Sequence, residues 1–308
     1  MSLVEANSVY LIIPVHNRKE LTLTCIENLS RQGALETYCV IVVDDGSTDG
    51  TGSAICTLYP EVIVLRGDGN LWWTGAVSMG MEYAISKGAN YLIWLNDDCL
   101  PQAGAIEVLL DIVKQNSQVI AGGQSLDPRT GEPSYGGVLL KQGKIRPVHA
   151  PQTVSVPCEG LNGNFVCLSK AVVQSIGYPN NQWFPQYHGD TAYTHRAKKH
   201  GYKLVIAGNA IAHCKNDHIY LPSVEYWLQT DRSPWDIWSE LFKIKSANYW
   251  KAELGLYTEF FGGLGFWFYL RDRLFRFLII TFIMVILPLK YRTKLIPLFT
   301  WLKAATNN

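Results

Sequence analysis

A chain of 308 residues with 48% hydrophobic and 17% charged residues has enough material for one large domain and an appendage. The formal net charge of +1 conceals an asymmetry. From Leu264 onward, seven Lys and Arg residues face Asp272 alone, a net +6 that leaves the remainder at −5. A weakly acidic body with a basic, apolar tail points to a membrane surface rather than to nucleic acid, for which no motif is present. The seven cysteines are scattered, odd in number and free of any CxxC spacing, which argues against a zinc site or a disulfide framework and for reduced thiols. Residues 1–7 show neither the charged nor the apolar region of a secretory leader.

The first half alternates regularly between short apolar runs and helical periodicity. Strands are predicted over Val9–Pro14, Thr37–Val43, Val62–Leu65, Tyr91–Leu95 and Val119–Ala121. Helices are predicted over Lys19–Arg31, Gly50–Leu58, Thr74–Lys87 and Pro101–Gln115. That order implies βαβ units and a mainly parallel sheet flanked by helices. Residues 127–157 turn Gly- and Pro-rich, which fits hairpins and loops. Helices return over Ser169–Ile176 and Thr191–Lys199, followed by a strand at Lys203–Ala207. The composition shifts again near Leu221, dividing the chain into a first domain over 1–220 and a helical region over 221–308 that holds six of the ten tryptophans. There, Ser233, Pro234 and Asp236 form a helix-start signal. The apolar run Phe277–Leu287 lies between Arg276 and Lys290, thirteen residues or about 20 Å of helix, against a hydrocarbon core of roughly 30 Å. It reads as a membrane-surface or re-entrant helix, with a buried packing helix or a homodimer interface as the alternatives.

Two acidic clusters close strands in this pattern. Val40–Val43 runs into Asp44, Asp45, Gly46, Ser47, Thr48 and Asp49, and Tyr91–Leu95 runs into Asn96, Asp97 and Asp98. Ligands of open α/β sheets bind beyond the carboxyl ends of the strands, so these carboxylates fall in one crevice. Grouped carboxylates repel one another and call for a cation, such as one bridging to a diphosphate.

The blocks Pro14–Arg18, Val42–Asp49, Leu95–Asp98, Gly160–Phe165 and His188–Tyr193, in this order, resemble a family 2 glycosyltransferase of GT-A fold, and within it bacterial rhamnosyltransferase-like enzymes of surface polysaccharide synthesis. The segment Gly69–Ala76 is similar to the Gly- and Ala-rich turn and helix that such enzymes place beside the donor. The resemblance covers Val9 to His213. It implies an inverting, metal-dependent transfer of one sugar from a UDP- or dTDP-sugar to a lipid-linked or growing glycan, at the cytoplasmic face of the cell membrane. On that reading Pro14, His16, Asn17, Asp44, Asp45, Gly75, Asn96 and Asp97 bind the donor nucleotide, with Asp45 the acceptor for N3–H of uracil or thymine. Asn96 stands where the family's DXD motif has its first Asp. Asp98 would ligate Mn²⁺ or Mg²⁺, with His213 as a further ligand and His188 and His218 as rivals. Asp190 would be the general base, with a helix-capping role as its bland counterpart. Trp72, Trp73, Asn164 and His188 are candidates to touch the sugar or acceptor. Arg196 would hold the Asp190 helix by pairing with a carboxylate. A processive synthase is the alternative, with Gln229–Arg232 a near match to its Gln-x-x-Arg-Trp block, and a non-catalytic sugar-binding relative is another.

Overall fold

The computed structural model describes residues 8–215, 227–228 and 233–297. His218, Gln229–Arg232, Trp301 and Lys303 lie outside the described residues. The chain divides into two compact units, Met1–Asn216 and Asp217–Asn308.

In the first unit the strands are β1 (Val9–Val15), β2 (Cys39–Asp44), β3 (Ile63–Arg66), β4 (Tyr91–Leu95), β5 (Cys99–Pro101), β6 (Val119–Leu126), β7 (Pro133–Tyr135), β8 (Gly137–Lys141), β9 (Lys144–Val148), β10 (Ser155–Pro157), β11 (Gly160–Leu161), β12 (Phe165–Ser169) and β13 (Lys203–Cys214). The helices are α1 (Lys19–Arg31), α2 (Ala34–Thr37), α3 (Thr51–Leu58), α4 (Trp72–Ser86), α5 (Ala105–Gln115), α6 (Lys170–Ile176) and α7 (Gly189–Lys199). The main sheet runs β10-β13-β6-β12-β4-β1-β2-β3, and β8, β9 and β11 form a small second sheet.

β1 shows why the central strands read as unbroken apolar runs: both of its faces are buried. Val9, Leu11 and Ile13 pack on one side with Ile26 and Leu29 of α1 and Leu109 of α5. Tyr10 and Ile12 pack on the other with Val77 and Met81 of α4 and Tyr193 of α7.

The sheet is mixed, not mainly parallel. β1, β2, β3 and β4 are parallel to one another, as are β6 and β13. Between the two parallel sets lies β12, antiparallel to both β4 and β6. Its five residues are buried on both faces, as in β1, and nothing along the chain announces their antiparallel direction. Three further boundaries differ. Cys99–Pro101 is a strand paired to β13, which delays α5 to Ala105. β6 runs on to Leu126, and β13 continues to Cys214 through a register shift between Ala207 and Ile211.

This topology positions the site. β1, β2 and β4 end on one edge of the sheet, and antiparallel β12 begins there, with Phe165 opposite Leu95. The loops after three strands and the loop before a fourth therefore meet.

In the second unit, the predicted helix start is a capping box: the Ser233 hydroxyl accepts from the Asp236 amide, and the Asp236 carboxylate accepts from the Ser233 amide at 2.8 Å. A helix over Phe275–Ile286 buries Phe277, Ile280 and Met284 against Trp227, Ile237 and Leu241. Glu253, 2% exposed, pairs with Arg273 at 2.7 Å. Removing one partner of a desolvated pair leaves the other uncompensated. Glu253→Ala is expected to destabilise this unit by about 3 kcal/mol, read as a lower urea midpoint at unchanged slope.

Candidate functional site

Asp45, 4% exposed, begins the loop after β2. Its two carboxylate oxygens accept from the backbone amides of Gly69, at 2.8 Å, and Trp72, at 2.9 Å. Gly69 has φ +87°, a conformation that suits a residue without Cβ. Trp72 has φ +57°, which costs a bulky residue about 1–3 kcal/mol and persists only where its surroundings hold it. Asp45 thus ties down the loop that opens α4. Asp44, also buried, accepts from the Ser47 amide at 2.9 Å and turns the chain towards α3.

The turn after β1 is stitched to the same loop. Pro14 pairs with Val43 in the β1–β2 ladder. His16 Nδ1 donates to the Asp45 carbonyl at 2.5 Å, and Asn17 Nδ2 donates to His16 Nε2 at 3.0 Å, so one ring tautomer satisfies both contacts. Asn17 Oδ1 accepts from the Thr48 amide at 2.7 Å.

α4 delivers Trp73 to the middle of the site. Its indole N–H donates to Asn96 Oδ1 at 2.8 Å, and its ring meets buried Trp94 edge-on at 5.9 Å. A Cβ added to Gly163 would lie 2.6 Å from the Trp73 ring and 2.8 Å from Asp190 Cβ, so the glycine is what lets these two approach. Asp190, in the first turn of α7, accepts from the Gly163 amide and from the Thr191 amide, both at 2.6 Å. His188 precedes α7 at φ +68° with its ring 6.4 Å from that of Tyr187. The Asn96 amide donates to the Asn164 carbonyl at 3.0 Å, which closes the circuit from the end of β4 to the start of β12. Gly75 sits on α4, where a Cβ would lie 3.2 Å from Asn181 Nδ2.

Asp97 and Asp98 share one cation. Arg18 Nη1 lies 2.9 Å from Asp97 Oδ1, and Nη2 lies 2.7 Å from Asp98 Oδ2. Burial pushes the Asp97 carboxyl up to about 7, against the pull of the Arg18 guanidinium, and Thr22 donates to its other oxygen at 3.1 Å. Asp98 is more open, with 26% of its side chain exposed. Its Oδ1 has the Cys214 thiol at 3.8 Å, and Cys214 in turn accepts from Asn164 Nδ2 at 3.3 Å.

His213, the expected further metal ligand, precedes Cys214, whose thiol lies 3.8 Å from Asp98 Oδ1. Neighbouring strand residues point to opposite faces, and Cys214 is the one turned to Asp98. His213 Nε2 instead meets Gln102 Nε2 at 2.9 Å. Among the described residues no three His, Cys, Asp or Glu side chains gather into a metal cage. A hard divalent cation carried by a diphosphate needs only one or two protein carboxylates, and the partly exposed Asp98 has the chemistry to supply one. Arg196 differs from expectation. It reaches the Tyr178 carbonyl at 3.4 Å and lies over the Tyr193 ring at 5.6 Å instead of pairing with a carboxylate.

Two residues of the constellation carry no role in the motif reading: Arg18 and Cys214. Arg18 follows Asn17 directly, and an arginine in that loop was the available signal for a counter-ion to the carboxylates at the end of β4. Nothing local marks Cys214, whose place depends on β13 extending past its apolar run.

A mixed sheet flanked by helices, with acidic loops meeting at its carboxyl edge, is the GT-A architecture. Residues 10–160 match the family model for glycosyl transferase family 2. It is 27% identical over 208 residues to glycosyltransferase AglE of Haloferax volcanii, covering 66% of this chain and 65% of that protein. It is 29% identical over 97 residues to galactofuranosyltransferase GlfT1 of Mycobacterium tuberculosis, covering 30% of each. The matches thus span less than two thirds of either relative. Among solved structures, a mannosyltransferase from Pyrobaculum calidifontis in complex with GDP-Man and Mn²⁺ superimposes with TM-score 0.53 at 12% identity, over 93% of this chain and 83% of that one. GalNAc-T7 with UDP, GalNAc and Mn²⁺ gives TM-score 0.55 at 13% identity, over 77% and 49%. At such identities these two establish the fold.

Two substitutions test the geometry. Arg18→Gln leaves Asp97 buried without its cation and is expected to cost about 3 kcal/mol in chemical unfolding, most of it recovered by adding Asp97→Asn. Gly163→Ala forces Trp73 and Asp190 apart and is expected to cost about 1–3 kcal/mol and to abolish the Trp73–Asn96 contact, seen as a shift of the indole N–H resonance.

Proposed function

We propose that the chain is an inverting glycosyltransferase that moves one sugar from a UDP- or dTDP-sugar to a hydroxyl of a lipid-linked or growing glycan, working at the inner face of the cell membrane. The observation that carries this reading is the circuit from Asn96 through Trp73 and Gly163 to Asp190, which sets one carboxylate a short distance from the acidic edge. In this reading the loops after β1 and β2 hold the base and ribose, with Asp45 shaping the pocket floor. Because both Asp45 oxygens already accept backbone amides, an N3–H would have to share one of them.

Asp190 acts as general base. It takes the proton of the acceptor hydroxyl at a carboxylate oxygen as that hydroxyl attacks the anomeric carbon. The amides of Gly163 and Thr191 hold the carboxylate in one orientation throughout. A single base acting opposite the departing diphosphate inverts the anomeric centre. Asp98 would hold Mn²⁺ or Mg²⁺ with the diphosphate oxygens, and the ion would supply neutralisation of the leaving group's charge. The Mn²⁺ named for both solved structures supports that choice. On this reading Trp72, Trp73, Asn164 and His188 would face the sugar or the acceptor. Galactofuranose, named for the mycobacterial relative, joins rhamnose as first choice in a donor panel.

Titration calorimetry with UDP, dTDP and GDP, each with and without Mn²⁺, tests the donor half. Uridine or thymidine diphosphate is expected to bind only with metal, and Asp98→Ala to lose that binding. Absence of all binding to folded protein would sink the reading. Asp190→Asn is expected to lower turnover by about 10²-fold or more while leaving nucleotide affinity within about twofold. Equal turnover would remove Asp190 from the role of base.

A further inference from the structure

The helix over Phe275–Ile286 is apolar on both faces. One face packs in its own unit through Phe277, Ile280 and Met284. The opposite face presents Phe275, Leu278, Ile279, Phe282, Val285 and Ile286, each between 38% and 70% exposed. At about 100° per residue these six fall within an arc of roughly 120°, so they form one continuous stripe rather than scattered exposures. An uncovered stripe of this kind marks an interaction surface.

Both ends of the stripe are cationic. Arg276 is exposed at its start. Lys290 and Lys294 are exposed beyond its end and flank the half-exposed ring of Tyr291 at 5.0 and 5.7 Å. Arg271 is paired to Asp272 and Arg273 to Glu253, so these two contribute little net charge. Arg292 donates to the carbonyls of Leu287 and Met284, at 2.6 and 2.9 Å, and closes the helix end. At twelve residues the helix is about 18 Å long, and no helix among the described residues is long and apolar enough to cross a membrane.

We infer that this face lies in the plane of an anionic lipid surface, with the six apolar side chains entering the acyl boundary and Arg276, Lys290 and Lys294 meeting headgroup phosphates. An amphipathic element with an apolar face and cationic flanks has the physical form of an interfacial anchor. Cations near an anionic leaflet add attraction that salt screens. A second copy of the chain fits less well. Isologous pairing of antiparallel helices would bring Arg276 of each copy towards Lys290 of the other, like charge against like. The inference deepens the proposed function by saying where an acceptor on a lipid carrier would be met, and rests on that reading only for its purpose.

The test is co-sedimentation of the full chain with vesicles of phosphatidylcholine alone or mixed with phosphatidylglycerol, at low and high salt. Binding is expected to the mixed vesicles and to weaken with salt. Phe282→Ser with Val285→Ser should lower the partition at least about tenfold, and Lys290→Gln with Lys294→Gln roughly fivefold per charge. All four positions are exposed, and circular dichroism with UDP titration checks that the variants fold. Absence of vesicle binding overturns the inference, as does equal binding by the Phe282/Val285 variant. A dimer by light scattering that becomes a monomer in that variant, with no vesicle binding, assigns the face to a second copy instead. UDP binding is read separately, so either proposal can fail without the other.

Discussion

The Asp45 carboxylate is the interaction on which the site depends. It spends both oxygens on backbone amides of the loop after β3 and thereby holds Trp72 at positive φ. That conformation sets the direction in which α4 leaves the sheet edge and brings Trp73 to Asn96. Gly163 then allows Trp73 and Asp190 to close on each other. A buried carboxylate satisfied by two amides is far more rigid than one facing water, because either amide left unpaired would cost the full desolvation of a polar group. The arrangement at the edge is therefore built before any ligand arrives.

Arg18 plays the complementary electrostatic part. Asp97 is buried where ionisation is unfavourable, and Asp98 lies next to it in sequence. One guanidinium, bonded to both, lets two carboxylates share the end of a strand. Its planar fork suits that task better than an ammonium would. Asp98 keeps an open side, so the pair divides its work: Asp97 anchors the loop and Asp98 faces the crevice.

Much of this was legible in the residues. Lys19–Arg31 and Tyr91–Leu95 have the bounds that periodicity and composition predict, because each lies between strong local punctuators. The acidic strand ends fall on one edge, as parallel βαβ connections require. What was illegible had no local signature. The five-residue β12 is buried on both faces and inverts the sheet's direction at its centre. β13 runs through a register shift to Cys214, and that extension turns the cysteine, not His213, towards Asp98. The amphipathic split of Phe275–Ile286 was equally hidden, since apolar residues on both faces leave no periodic contrast until packing buries one of them.

The amino-acid sequence by itself determined most of the strands and helices in the first half, where the carboxylates fall, and that the tail is apolar and basic. These are properties of neighbours along the chain, encoded in hydrophobic period and in turn and cap residues. Tertiary structure alone decided that Arg18 is the cation of the acidic edge, that Trp73 joins Asn96 to Gly163 and Asp190, and which face of the last long helix stays uncovered. Each of these joins groups far apart in sequence, where pairing depends on burial, direction and register once the sheet has closed.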